Sequence, residues 1–138
     1  MSRYITRERV HIDRIATAWA LKRFVDPEAV FAFVARERDP HELDGIAFDM
    51  RGADLSHRDG RITFEVLIAR ERLAMPGLAR MAAIVRSVDL DERDDELPET
   101  AGVRAIFDGI RDALEDDAER LRVGFAICDA LLAYCRAG

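Results

Sequence analysis

The sequence predicts an α+β fold, mainly helical, with several helices packed on a small sheet of about three short strands. Three observations point there. Tyr4-Ile5-Thr6 within residues 3–7 reads as a short strand, and residues 30–34 and 46–50 are short, largely apolar runs of strand type. Longer segments between and after them carry apolar residues at helical spacing. The length of 138 residues, 49% hydrophobic, suits one domain over residues 1–138 with its own core, and excludes a disordered chain.

Taken in order, Tyr4-Ile5-Thr6 forms the first strand. Ile12, Ile15, Ala16, Trp19 and Ala20 then share one helical face. Asp13 stands in the first turn of that helix, where a carboxylate caps free N–H groups and suits the helix dipole. Asp26-Pro27 ends the helix, because the residue before a proline is pushed out of the helical region. Val30, Phe31, Phe33 and Val34 make the second strand, and residues 39–44 a polar connection with room for one helical turn. The third strand is Ile46-Ala47-Phe48-Asp49-Met50, and residues 51–61, with Gly52, Asp59 and Gly60, form a loop.

Residues 62–72 fit two periods. As a helix, Thr63 caps and Phe64, Leu67 and Ile68 share a face; as a strand, Ile62, Phe64, Val66 and Ile68 alternate behind a hairpin turn at Asp59-Gly60. The helix is preferred because Glu65 and residues 69–72 are good helix formers. Pro76 opens another helix, with Leu78, Met81, Ala82 and Val85 on one face, ending near Val88. Val103, Ile106, Phe107, Ile110 and Leu114 mark the next helix, and Leu121, Phe125, Cys128, Leu132 and Cys135 the last.

The formal net charge is -6 and the pI near 5.1. Arg3, Arg7, Arg9, Arg14, Lys22 and Arg23 make the amino-terminal segment basic, while Asp89, Asp91, Glu92, Asp94, Asp95, Glu96 and Glu99 face only Arg93. An acidic chain of this kind argues against a nucleic-acid partner. No apolar run is long enough to span a membrane, and MSRYITRERV lacks the apolar stretch of a secretory signal, so a cytoplasmic protein without a membrane partner is expected. Cys128 and Cys135, seven positions apart on one helix, have backbones about 10 Å from each other, too far for a disulfide. They read as small buried hydrophobes, with no CxxC or HxxxH spacing for zinc. No nucleophile elbow, phosphate loop or HExxH motif is present.

Three histidines remain. His41 lies in a polar connection and is expected at the surface. His11 precedes Asp13-Arg14 at a helix entry, and His57 lies between a strand and a helix. Imidazole suits iron, zinc or copper and carboxylate suits manganese, so the two histidines with Asp13, Asp49, Glu65 and Asp89 supply donors for a divalent metal. The plainer reading keeps both as polar loop residues bonded to nearby backbone. Arg23 falls on the buried helical face, where it either snorkels to solvent or pairs with an acid such as Asp49, or with His11 in one polar cluster. Asp89 and Asp91 follow a helix C-terminus, an unfavourable place for negative charge. Either Arg86, Arg14 or a metal ion offsets it, or the segment is a solvated acidic loop.

These residues resemble a known family. Ile5-Thr6-Arg7, His11-Ile12-Asp13-Arg14-Ile15-Ala16, Trp19 and Arg23-Phe24-Val25-Asp26-Pro27 are similar to the opening of the ChrB-type domain of chromate resistance. Phe48-Asp49, Ser56-His57, Gly60, Thr63-Phe64-Glu65, Ala83-Ile84-Val85-Arg86 with Asp89 and Asp91, Asp116-Asp117, Gly124, Asp129-Ala130-Leu131 and Tyr134-Cys135-Arg136 continue the likeness over nearly the whole chain. There are departures: Thr17-Ala18 replace a frequent Cys-Pro, and Arg58 and Ile62 replace a histidine and a cysteine. Thiol chemistry at the first of these is therefore excluded here. Longer relatives carry an additional amino-terminal regulatory region, so a transcriptional role is not expected of this chain.

The resemblance implies a bacterial domain associated with chromate resistance. The expectation is a divalent metal, iron or manganese with zinc as a further option, held by His11, His57 and one or two of Asp13, Glu65 and Asp89. Arg14 and Arg23 would orient the carboxylates or hold a small inorganic anion such as chromate, with Asp49 in the same polar cluster. Two alternatives stand beside it: a non-catalytic sensor or assembly module whose polar cluster is structural, and a metal-dependent hydrolase using Glu65 or Asp49 to position water. Substrate, turnover and oligomeric state are not assigned by the sequence.

Overall fold

β1 (Arg3–Arg7) lies at the centre of a parallel sheet, with β2 (Val30–Val34) on one side and β3 (Ile46–Ala47) on the other. The computed structural model describes residues 2–90 and 96–137. Tyr4 stands opposite Phe31 in one register and opposite Ile46 in the other. The strand order β2-β1-β3 means that the chain leaves β1 towards one side and later returns to its other side. All three strands end at the same edge, and an open parallel sheet binds its ligands in the crevice beyond that edge, where the connections diverge.

The helices cover the sheet. α1 (Ile12–Ala20) crosses from β1 to β2 and continues as a π-helical turn over Leu21–Val25, ending at Asp26 as the proline requires. A short 3-10 turn, Pro40–Glu42, fills the polar connection. Then follow α2 (Thr63–Arg70), α3 (Leu78–Leu90), α4 (Thr100–Ala113) and α5 (Asp117–Ala137). The mainly helical α+β architecture is the one the patterning predicts, and residues 62–72 take the helical option. α1 packs against α2, α3 and α5, and its Ile12, Ile15, Ala16 and Trp19 are sealed in the core with Phe48, Phe64, Met81 and Phe107. Burying a large apolar side chain stabilises by about 1.5–3 kcal/mol, so α1 is held by packing on three sides. At the α1–α5 crossing Gly124 admits Ile15; a Cβ on Gly124 would lie 2.5 Å from Ile15 Cγ2.

Three expectations are corrected. The third strand is two residues long, because Asp49 turns the chain with φ +48° and Phe48 makes only an isolated bridge to Leu55. α3 runs past Val88 to Leu90, so Asp89 belongs to its last turn. Thr63 is the first residue of α2 rather than its cap, which Ile62 occupies. The acidic stretch singled out from the sequence includes residues 91–95, which lie outside the described residues. Cys128 and Cys135 are free and buried on α5, as their spacing implies.

Candidate functional site

The carboxyl edge of the sheet places two acids face to face: Asp13 in the first turn of α1, after β1, and Asp49 just beyond β3. Asp49 takes up a left-handed backbone conformation, φ +48°, which Asp tolerates better than most residues and which recurs where a side chain is aimed at a ligand. His57 reaches in from the following loop. Its Nε2 lies 2.9 Å from Asp13 Oδ2, 3.6 Å from Asp49 Oδ1 and 3.7 Å from Asp89 Oδ2. Asp89 comes from the last turn of α3. One imidazole nitrogen is thus ringed by three carboxylates from three different elements.

Asp13 does not cap its own helix. Its Oδ1 accepts the N–H of Phe64 at 2.9 Å and its Oδ2 that of Thr63 at 3.1 Å, so it caps α2, fifty residues on. With only 3% of its surface exposed, this carboxylate fixes α2 against α1. Asp49 Oδ1 accepts from the Thr63 hydroxyl at 2.8 Å, and Arg14 Nε lies 3.2 Å from Asp49 Oδ2 and 3.3 Å from its backbone oxygen. Glu65 accepts from the Ile62 N–H and from Arg86 Nη1, which also donates to the Gly60 carbonyl. Glu65 therefore closes the amino end of α2.

The electrostatics follow from burying acids together. Desolvation, then the Asp13 charge, raises Asp49 to about 6, against the pull of Arg14, Thr63 and His57. Desolvation, then Asp13 and Asp49, raises Asp89 to about 7. The hydrogen bond to Asp13 and the attraction of all three acids raise His57 to about 9, with partial burial opposing. At neutral pH His57 is an imidazolium, the cation that holds the acids together.

The other residues singled out from the sequence lie elsewhere. His11 and His57 do not form one group. His11 Nε2 instead pairs with Asp108 Oδ1 of α4 at 2.8 Å, and burial lowers its pKa. Arg23 pairs with Asp129 of α5 through two hydrogen bonds, at 3.1 and 3.0 Å, and stacks over Phe125; neither Asp49 nor His11 is its partner. The same Asp129 accepts from the Trp19 indole at 2.7 Å. His41 is exposed, as expected.

Among the described residues, Asp13, Asp49 and His57 form a group whose donor atoms all lie within 4.8 Å of one another. Ligand atoms about 2.1 Å from one ion, at tetrahedral or octahedral angles, stand about 3.0–3.4 Å apart, close to the separations around His57 Nε2. Oxygen donors with one imidazole suit manganese or iron, and zinc accepts the same set. Asp49, expected from the sequence only beside the ligands, stands among them. The clue to this is position: an acid directly after a strand of a parallel sheet points into the crevice at the strand ends. A cavity of about 470 Å³ lined by Tyr4, Leu55, Leu67 and Arg70, among others, contains none of these acids.

The model of the family described as ChrB, C-terminal domain, matches residues 4–135. The chain belongs to that ChrB domain family. A curated relative, Protein ChrB of Cupriavidus metallidurans, is 34% identical to this ChrB-type domain over 126 residues. The match covers 90% of this chain and 38% of the relative, so the chain spans well under half of that protein's length. No solved structure matches. Within this ChrB-type domain, no described helix is long and apolar enough to cross a membrane.

Proposed function

We propose that the domain binds one divalent metal ion, manganese or iron by preference, through Asp13, Asp49 and His57, with Asp89 completing the set, and that it serves chromate resistance through this site. The observation that carries the reading is the approach of three carboxylates to His57 Nε2 at 2.9, 3.6 and 3.7 Å. Buried like charges repel, and here the single positive charge of one imidazolium, hydrogen-bonded to Asp13, stands among them; a doubly charged cation offsets more of that repulsion. Arg14 orients Asp49, while His11, Glu65 and Arg23 take no part, because Asp108, Arg86 and Asp129 occupy them. When bound, such an ion supplies a Lewis acid with a position open to an oxygen ligand. The chain's own share is to bring the carboxylates to one point and to release the His57 proton, since a ligating imidazole is neutral; beside a bound cation Asp49 and Asp89 take their ionised forms.

One observation favours a second reading, in which the cluster is purely structural: Asp13 spends both oxygens on the N–H groups of α2. Metal analysis of protein purified without chelator, followed by a manganese titration of wild type and His57→Ala, separates the two. Metal in the wild type, lost in a folded variant, supports binding. No metal, and thermal stability unchanged by manganese or iron, leaves the structural network.

A further inference from the structure

We infer that arginines at the carboxyl edge of the sheet form a receiving site for a small, multiply charged oxyanion of the phosphate or sulfate type, next to the acid cluster. Arg7 ends β1, Arg36 follows the end of β2 by two residues, and Arg51 follows Asp49 by two. The parallel topology therefore brings one guanidinium from each strand end to the same crevice. With Arg38 they line a depression of about 450 Å³, which Glu37 and Asp39 also border. An adjoining hollow of about 330 Å³ shares Arg7 and Arg51 and continues to Arg14, Asp49, Ser56 and His57.

Arg14, Arg23, Arg80, Arg86, Arg120 and Arg122 each pair with a carboxylate. Arg7, Arg36, Arg38 and Arg51 form no ion pair with a described residue. Arg7 is the telling member, because its Nε is buried and has no acceptor among the described residues. A buried guanidinium N–H without a partner is costly, so the Arg7 side chain, which lines both hollows, gains by turning towards an acceptor that enters them. Burial, then repulsion from Arg14 and Arg36 and, less, from Arg51, lowers the Arg7 pKa against the attraction of Asp49, so these cations are near enough to disfavour one another. Guanidinium forks match the oxygens of a tetrahedral oxyanion, and each contact is a charge-assisted hydrogen bond. Arg23, the anion ligand expected from the sequence, is replaced in this part by Arg7, Arg36 and Arg51.

The arginines and the proposed metal ligands are different residues, so anion and metal titrations fail independently. Inorganic phosphate, inorganic sulfate and adenosine monophosphate are titrated by calorimetry into chelator-treated wild type, Arg51→Ala and the Arg36→Ala/Arg51→Ala double variant. Saturable wild-type binding is expected, weaker by about tenfold for each arginine removed. Added chloride should weaken it further, while manganese affinity in the variants stays at the wild-type value. Tighter binding of the nucleotide assigns the oxyanion to a phosphorylated ligand, and equal or tighter binding of phosphate or sulfate assigns it to a free ion; both keep the site. Saturation by none of the three, or equal affinity in wild type and double variant, overturns it.

Discussion

His57 Nε2 lies 2.9 Å from Asp13 Oδ2, across 44 positions of sequence, and the same carboxylate accepts two backbone N–H groups at the start of α2. One buried acid thus joins α1, α2 and the loop that carries the imidazole. Structure and proposed chemistry meet at Asp13, and substitutions around it separate the two.

Removing the carboxylate leaves the Thr63 and Phe64 N–H groups buried without acceptors. Asp13→Ala is expected to cost about 2–4 kcal/mol in urea unfolding with an unchanged m-value. A cost below about 1 kcal/mol would show that the cap is dispensable.

His57 has half of its side chain exposed and packs little. His57→Ala removes the cation among three carboxylates and should still fold, at a cost of about 1–2 kcal/mol at neutral pH, which the half-exposed ring keeps modest. Its manganese affinity should fall at least about tenfold, as befits a lost ligand. His11→Ala, whose imidazole pairs with Asp108, should leave that affinity unchanged. Reversed results for the two histidines, read by calorimetry, would move the site to His11.

The pH dependence of the metal-free protein has a definite sign. Asp49 at about 6, Asp89 at about 7 and His57 at about 9 all lie above their ordinary values, so the folded chain holds these protons more tightly than the unfolded chain. The stability each contributes is complete below its unfolded pKa and is lost as pH rises through the folded one. For the two acids the loss falls between about pH 4 and 7, and for His57 between about 6.5 and 9. Comparing the melting temperature of wild type with that of His57→Ala isolates the upper window. The wild-type advantage should shrink from about pH 6.5 to 9, and an advantage that grows there would contradict the assignment.

Gly124 tests the packing that sets α1, and with it Asp13, in place. A methyl group there meets Ile15 Cγ2 at 2.5 Å. Gly124→Ala is expected to destabilise by about 1–3 kcal/mol in chemical unfolding, and a neutral or stabilising effect would show that α5 yields easily.

The helices were legible because burial of one face imposes its period on the sequence, as Ile12, Ile15, Ala16 and Trp19 show. The length of β3 was not: Phe48 and Met50 are apolar because they are buried, but Asp49 between them turns the chain. Asp13 was recognisable as a capping acid, but which helix it caps depends on tertiary packing. His11–Asp108 and Arg23–Asp129 join positions 97 and 106 apart, and no local pattern announces such partners. The approach of Asp49 and Asp89 to His57 depends on the order of the parallel strands and on where α3 stops, and neither is a local property of the sequence.

The most direct measurement is a calorimetric manganese titration of chelator-treated wild type and Asp49→Asn at neutral pH. One ion per chain in the wild type, with affinity at least about tenfold weaker in a folded Asp49→Asn, is the expected result. No saturable binding to the wild type, or the same affinity in both proteins, would contradict a metal site at these carboxylates.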